Sequence, residues 1–95
     1  MATTPVIPLS LSRAAQVFHL MADETRLRLL LALAEKGELP VKALCADLVL
    51  AQSTVSHHLA LLRLGGLVAF RRQGQSSVYS LTSETVRELL RSVKY

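Results

Sequence analysis

Ninety-five residues is the size of one domain, which argues against a second folded unit. The chain is 51% hydrophobic but only 4% aromatic, so its apolar content is Leu, Val and Ala; that disfavours a turn-rich aromatic β-domain and suits a helical chain with more apolar surface than one small core hides. A formal charge of +4 suits a polyanionic partner, the single cysteine excludes an intrachain disulfide framework and points to a reducing cytoplasm, and no apolar run is long enough to span a membrane.

Residues 1–8 hold two of the three prolines and are expected to form a flexible arm, without the basic and long apolar regions of a signal peptide. The folded domain is expected over 9–95. A first helix is predicted from Leu9 to Met21, with Leu11, Ala14, Ala15 and Phe18 on one face. Asp23 reads as the N-cap of a second helix, from about Glu24 to Glu35, because its carboxylate can accept from open amides and favours the positive helix end. Leu27, Leu30, Leu31 and Ala34 make the main stripe of that helix, and Leu29 and Leu33 widen it. A helix apolar on most of its girth is the central one. Gly37 ends it.

A short helix follows from Pro40 to about Leu48, with Val41, Leu44, Cys45 and Leu48 inward. After a link of Val49 to Ala51, Gln52 to Leu64 reads as a further helix, and two helices so closely joined form a helix-turn-helix. Val55, Leu59 and Leu62 line one stripe of it. The opposite side carries Gln52, Ser53, Ser56, His57 and Arg63, which are hydrogen-bonding groups and one cation, with no carboxylate. Such a helix can present donors and acceptors to base edges in the major groove without repelling phosphates. Gly65-Gly66 closes the helix. Leu67 to Phe70 and Val78 to Leu81 read as two strands around a polar tip, Arg71 to Ser77, forming a wing. No Asp or Glu occurs from Ala51 to Leu81, so Arg71 and Arg72 are expected to contact phosphate. The last helix, about Ser83 to Val93, is capped by Thr82 or Ser83.

The expected fold is mainly α with a small β-hairpin, in the order α-α-α-α-β-β-α. Apolar stripes at the two ends remain once the core is filled. Leu11, Ala14, Phe18, Val86, Leu89, Leu90 and Val93 are therefore assigned to a two-fold dimer interface. Cys45 reads as a small core residue, and His19 as a surface or interface residue. Adjacent residues on a helix point about 100° apart, so His57 and His58 rarely share a metal ion; His58 is better placed to pack on a neighbouring helix. Arg26 and Arg28 stand close to acids and are as suited to intrachain pairing as to DNA. Ser53, Thr54, Ser56 and His57 lie on one solvent-facing helix without an orienting acid, so no catalysis is expected.

Three segments together resemble the ArsR/SmtB family of bacterial repressors. They are Phe18 to Leu30, with its Asp23-Glu24-Thr25-Arg26-Leu27 element; the Gln52-Ser53-Thr54-Val55-Ser56-His57-His58-Leu59 run with Leu62 to Val68; and Arg71 to Gln75 followed by Val78 to Leu81. The resemblance implies a winged helix-turn-helix homodimer on an imperfect inverted repeat. Gln52, Ser53, Ser56 and His57 would read bases, Arg71 and Arg72 would hold phosphate, and Gln75 would join them near the minor groove. Thr54 and Arg63 complete the expected DNA-facing set.

The chain also departs from the family pattern. Aligned on Asp47, the two thiolate ligand positions are Leu44 and Ala46, and Cys45 lies between them. A lone cysteine cannot supply the converging soft ligands that zinc or arsenite needs, and Ser83 to Tyr95 contains no histidine for the family's other common site. No metal site and no cofactor are expected. Val49 stands where glycine is usual and disfavours positive φ. Ala51 replaces a capping serine, at roughly 1 kcal/mol. Either the turn takes another conformation or the helix starts less rigidly.

The function expected is a cytoplasmic, sequence-specific transcriptional repressor acting as a homodimer on double-stranded, pseudo-palindromic operator DNA, with its effector unknown. Two alternatives stand beside it. One is a winged-helix interaction module that no longer binds DNA; the other is a metal sensor with a site built from His19, His57 or carboxylates.

Overall fold

The computed structural model describes residues 8–94. Apart from Pro8, the expected arm lies outside them. The elements run α1 (Leu11–Met21), α2 (Glu24–Lys36), β1 (Glu38–Pro40), α3 (Val41–Leu48), α4 (Gln52–Leu64), β2 (Val68–Gln73), β3 (Ser76–Leu81) and α5 (Glu84–Leu90). This is the expected mainly α winged helix-turn-helix with one element added. Residues Glu38 to Pro40 pair antiparallel with β3, so the wing is a three-stranded sheet in the order β1-β3-β2. Three residues are too short a run for alternation to reveal.

Caps mark the helix boundaries. The Ser10 side chain accepts from the Arg13 amide, and the helix starts two residues later than expected. Asp23 caps α2 by accepting from the Arg26 amide at 3.0 Å. That hydrogen bond, then the nearby Arg26 and His58 charges, hold the Asp23 carboxyl below its ordinary value against the opposing effect of burial. Ser83, rather than Thr82, caps α5 through the Val86 amide. Thr82 instead donates its hydroxyl to the Gly66 carbonyl at 2.6 Å.

The core gathers around α2, where Leu29, Leu30, Ala32 and Leu33 are buried and Leu27, Leu31 and Ala34 are only partly covered. The buried face is thus rotated relative to the expected main stripe. Val17, Met21, Leu44, Leu48, Val55, Leu59, Leu62, Leu67, Val68, Val86 and Leu90 complete the cluster with it. Val86 and Leu90 correct the sequence reading. At 1% and 3% exposure they belong to the protomer's own core and cannot serve a dimer interface. An amphipathic stripe shows that a face is buried, but not against which chain.

The helix-turn-helix contains one strained residue. Val49 adopts the left-handed conformation, φ 55° and ψ 54°, with its side chain 86% exposed. A β-branched residue there crowds its own backbone by roughly 1–2 kcal/mol, and at this exposure no packing compensates. Val49→Gly relieves that crowding but loosens the unfolded chain. We expect a net gain of up to about 1 kcal/mol, seen as a raised urea midpoint with an unchanged slope. A lowered midpoint would show that relief of the crowding is worth less than the freedom the unfolded chain gains.

Candidate nucleic-acid interface

The back of α4 is fully buried: Val55, Leu59 and Leu62 are each 0% exposed. Burying each contributes roughly 2 kcal/mol. Together they outweigh the missing cap at Ala51, which makes no side-chain hydrogen bond to the first turn and forgoes about 1 kcal/mol. The helix is therefore held by its packing rather than by its start. Its front is open. Gln52, Ser53, Ser56 and His57 are exposed, and Thr54 is half-buried. Among the described residues none of Gln52, Ser53 and Ser56 makes a side-chain hydrogen bond, so their donors and acceptors face solvent.

His58, next to this front, is spoken for. Its Nδ1 lies 3.4 Å from the Arg26 guanidinium and 3.9 Å from the Asp23 carboxylate, and its ring meets His57 edge-on at 5.3 Å. It ties α4 to the start of α2, as its expected packing role requires. Arg26 also donates from Nε to the Leu20 carbonyl, and Arg28 donates to the Leu48 carbonyl. Both arginines thus serve intrachain carbonyls.

The wing is fixed to α4 at its base. The Leu67 amide donates to the Leu62 carbonyl and the Thr82 amide to the Leu67 carbonyl, at 2.9 and 3.1 Å. Gly66 takes φ 79°, a backbone conformation that favours glycine, and a side chain at Gly65 would have to push the tip of Leu20 aside. Strand register then sorts the polar tip. Phe70 pairs with Tyr79, Arg71 with Val78 and Arg72 with Ser77. Successive strand residues face opposite ways. Val68, Phe70 and Arg72 share the face that packs on the helices, while Ala69, Arg71 and Gln73 face outward.

The two wing arginines consequently have different surroundings. Arg72 donates weakly to Ser77, at 3.4 Å, and borders an open depression of about 490 Å³ with Lys42, Cys45, Gln52, Gln75 and Ser77. The start of α3, the start of α4 and the wing meet there around two cations. Lys42 was not among the expected contacts; its place in the first turn of the helix preceding α4 was the available signal. Arg71 instead grips Glu38 on β1, with Nε and Nη2 at 2.8 and 2.9 Å from the two carboxylate oxygens. Those bonds, and then the arginine's charge, hold the Glu38 carboxyl below its ordinary value, and the carboxylate correspondingly raises Arg71. The pair is ionised at neutral pH and persists until acid protonates Glu38. Arg63, expected to face DNA, lies over the Phe70 ring at 5.3 Å and remains exposed.

Elsewhere, α1 turns Val17 and Met21 inward and leaves Leu11 89% and Phe18 54% exposed, with Ala15 between them. Leu89 and Val93 are half-buried. Among the described residues no three His, Cys, Asp or Glu side chains gather as a metal site, and no helix is long and apolar enough to cross a membrane. Leu44, at one of the family's thiolate positions, is a core residue with 0% exposure.

Residues 23–69 match the model of the arsR family of bacterial regulatory proteins. An uncharacterised HTH-type transcriptional regulator of Methanocaldococcus jannaschii is 36% identical over 81 residues, covering 85% of this chain and 91% of that protein. The arsenical resistance operon repressor of Escherichia coli is 49% identical over 67 residues, and there the match covers 70% of this chain but only 57% of the relative. Among solved structures, HlyU from Vibrio cholerae superimposes with a TM-score of 0.81 at 38% identity, covering 85% of this chain and 87% of that one. A homodimeric winged helix-turn-helix DNA-binding domain from Mycobacterium bovis, a possible ArsR-family regulator, superimposes with a TM-score of 0.78 at 34% identity, covering 86% and 75%. The shared fold, the matched segment and the near full-length relative together place this chain in the ArsR family, whose members are transcriptional regulators and not enzymes.

Proposed function

We propose that the protein is a homodimeric repressor that reads a pseudo-palindromic operator by setting the front of α4 into the major groove. One observation carries this reading. The apolar back of α4 is buried to the last atom, while Gln52, Ser53, Ser56 and His57 remain solvent-facing in a stretch free of carboxylates. Side chains of this kind hydrogen-bond base edges, and cations beside them hold the backbone in register. Arg72 and Lys42, with Gln75, flank the start of α4 in the same depression and supply that backbone grip. The second copy covers the apolar ridge Leu11, Ala14 and Phe18, with Leu89 and Val93 at its margin. Two recognition helices then address half-sites about one helical turn, or a multiple, apart.

Regulation does not run through the family's thiolate pair, because Leu44 and Ala46 offer no ligand atoms at those positions. A salt titration tests the DNA contact. Operator affinity should fall steeply as KCl rises, and Arg72→Ala should flatten the log–log slope by about 1.8, one phosphate's worth from each protomer of the dimer. A slope unchanged by Arg72→Ala would remove this arginine from the interface. Absence of binding to any genomic fragment at low salt would favour a protein-docking role instead.

A further inference from the structure

The outward face of the wing carries an arrangement that DNA reading alone does not require. Glu38 stands on β1 and Arg71 on β2, with β3 between them, and the pair closes over the top of that strand. Beneath it Val78 is only 7% exposed, although it lies outside the main core cluster. The guanidinium is engaged at two nitrogens by two carboxylate oxygens. A DNA phosphate would take the same fork with the same geometry. We propose that Glu38 is an internal competitor for Arg71, occupying the seat of a phosphate and limiting the wing to one engaged arginine.

Three features support this, all resting on the DNA-binding reading above. First, Arg71 and Arg72 face opposite sides of one ribbon. A hairpin tip approaching the minor groove has a phosphate wall on each side, so both cations can be used only if the outward one is released. Second, the pair is open to water, with Arg71 and Glu38 side chains 53% and 45% exposed. Solvent-exposed ion pairs are held weakly, so exchange of carboxylate for phosphate is within reach of a polyanion's field. Third, Glu38 lies outside the carboxylate-free stretch from Ala51 to Leu81 and is brought to the wing only by the pairing of β1 with β3. Glu38 is thus a positioning residue: it acts on DNA through Arg71.

The test measures anisotropy of a fluorescein-labelled, mixed-sequence duplex over a KCl series. Glu38→Gln should bind roughly fivefold more tightly than wild type and steepen the salt slope by about 1.8, one added phosphate contact from each protomer of the dimer. Glu35→Gln removes the same charge from an exposed site on α2 and should give a much smaller gain with no change of slope. In an Arg71→Ala background, Glu38→Gln should gain no more than Glu35→Gln does. Glu38→Asp keeps the charge and should stay close to wild type, and thermal melts confirm that each variant is folded. The inference is overturned if Glu38→Gln behaves like Glu35→Gln, or if its gain survives loss of Arg71. If wild type binds and only these differences are missing, the inference alone fails. If no variant binds at the lowest salt, the DNA-binding reading fails and this inference with it.

Discussion

Replacing Gln52 and His57 together by alanine is expected to leave a folded dimer that binds DNA without choosing among sequences. Both side chains are exposed on the front of α4, and neither belongs to the core, so thermal stability should move by less than about 0.5 kcal/mol for each. Operator affinity should fall by roughly 2–6 kcal/mol for each half-site, since each good base contact discriminates by about 1–3 kcal/mol. Binding to random duplex, carried by Arg72 and its neighbours, should change little. The measurement is a competition between operator and random duplex at one fixed salt. A variant that keeps the wild-type preference would place sequence reading elsewhere, with Arg63 or the wing as the next candidates.

The second large effect concerns assembly. Phe18→Asp puts a carboxylate in the middle of the α1 ridge, at a residue 54% exposed in the protomer. In an isolated protomer this side chain stays in water and should cost little. In a dimer it would be buried without a partner, which costs several kcal/mol per copy. The expected outcome is a monomer by sedimentation, close to the 10.4 kDa of one chain. Operator affinity should fall by a hundredfold or more, on the order of 3 kcal/mol, because the second half-site no longer adds its contacts. Val86→Ala acts differently: it opens a hole in the protomer's own core and should destabilise the fold whatever the oligomeric state. A dimer that survives Phe18→Asp would show that the ridge is not the interface.

Much of this was legible in the sequence, and the failures have physical causes. The back of α4 could be read because Val55, Leu59 and Leu62 repeat at helical spacing and all three are fully buried. Asp23 could be read because an N-cap is a local device, set by one side chain and an amide three residues on. The end stripes were only half legible. Periodicity marks Leu11 and Phe18 in the same way as Val86 and Leu90, and only packing shows that the latter two are used within the protomer. The difference between Arg71 and Arg72 follows from strand parity, but only once the register against β3 is known. Glu38 was illegible because its partner is 33 residues away and its strand has three residues. Val49 was read as unfavourable at positive φ, and it adopts that conformation nonetheless. The turn between α3 and α4 sets the backbone there, and the residue's preference yields.

Backbone amide chemical shifts followed by NMR as operator duplex is added test the recognition role of α4 directly. The largest changes are expected along residues 52–57, with a second group near 72–77 at the wing and little change on the outward side of α1. Large changes on α1 or α5 with residues 52–57 unmoved would contradict that role.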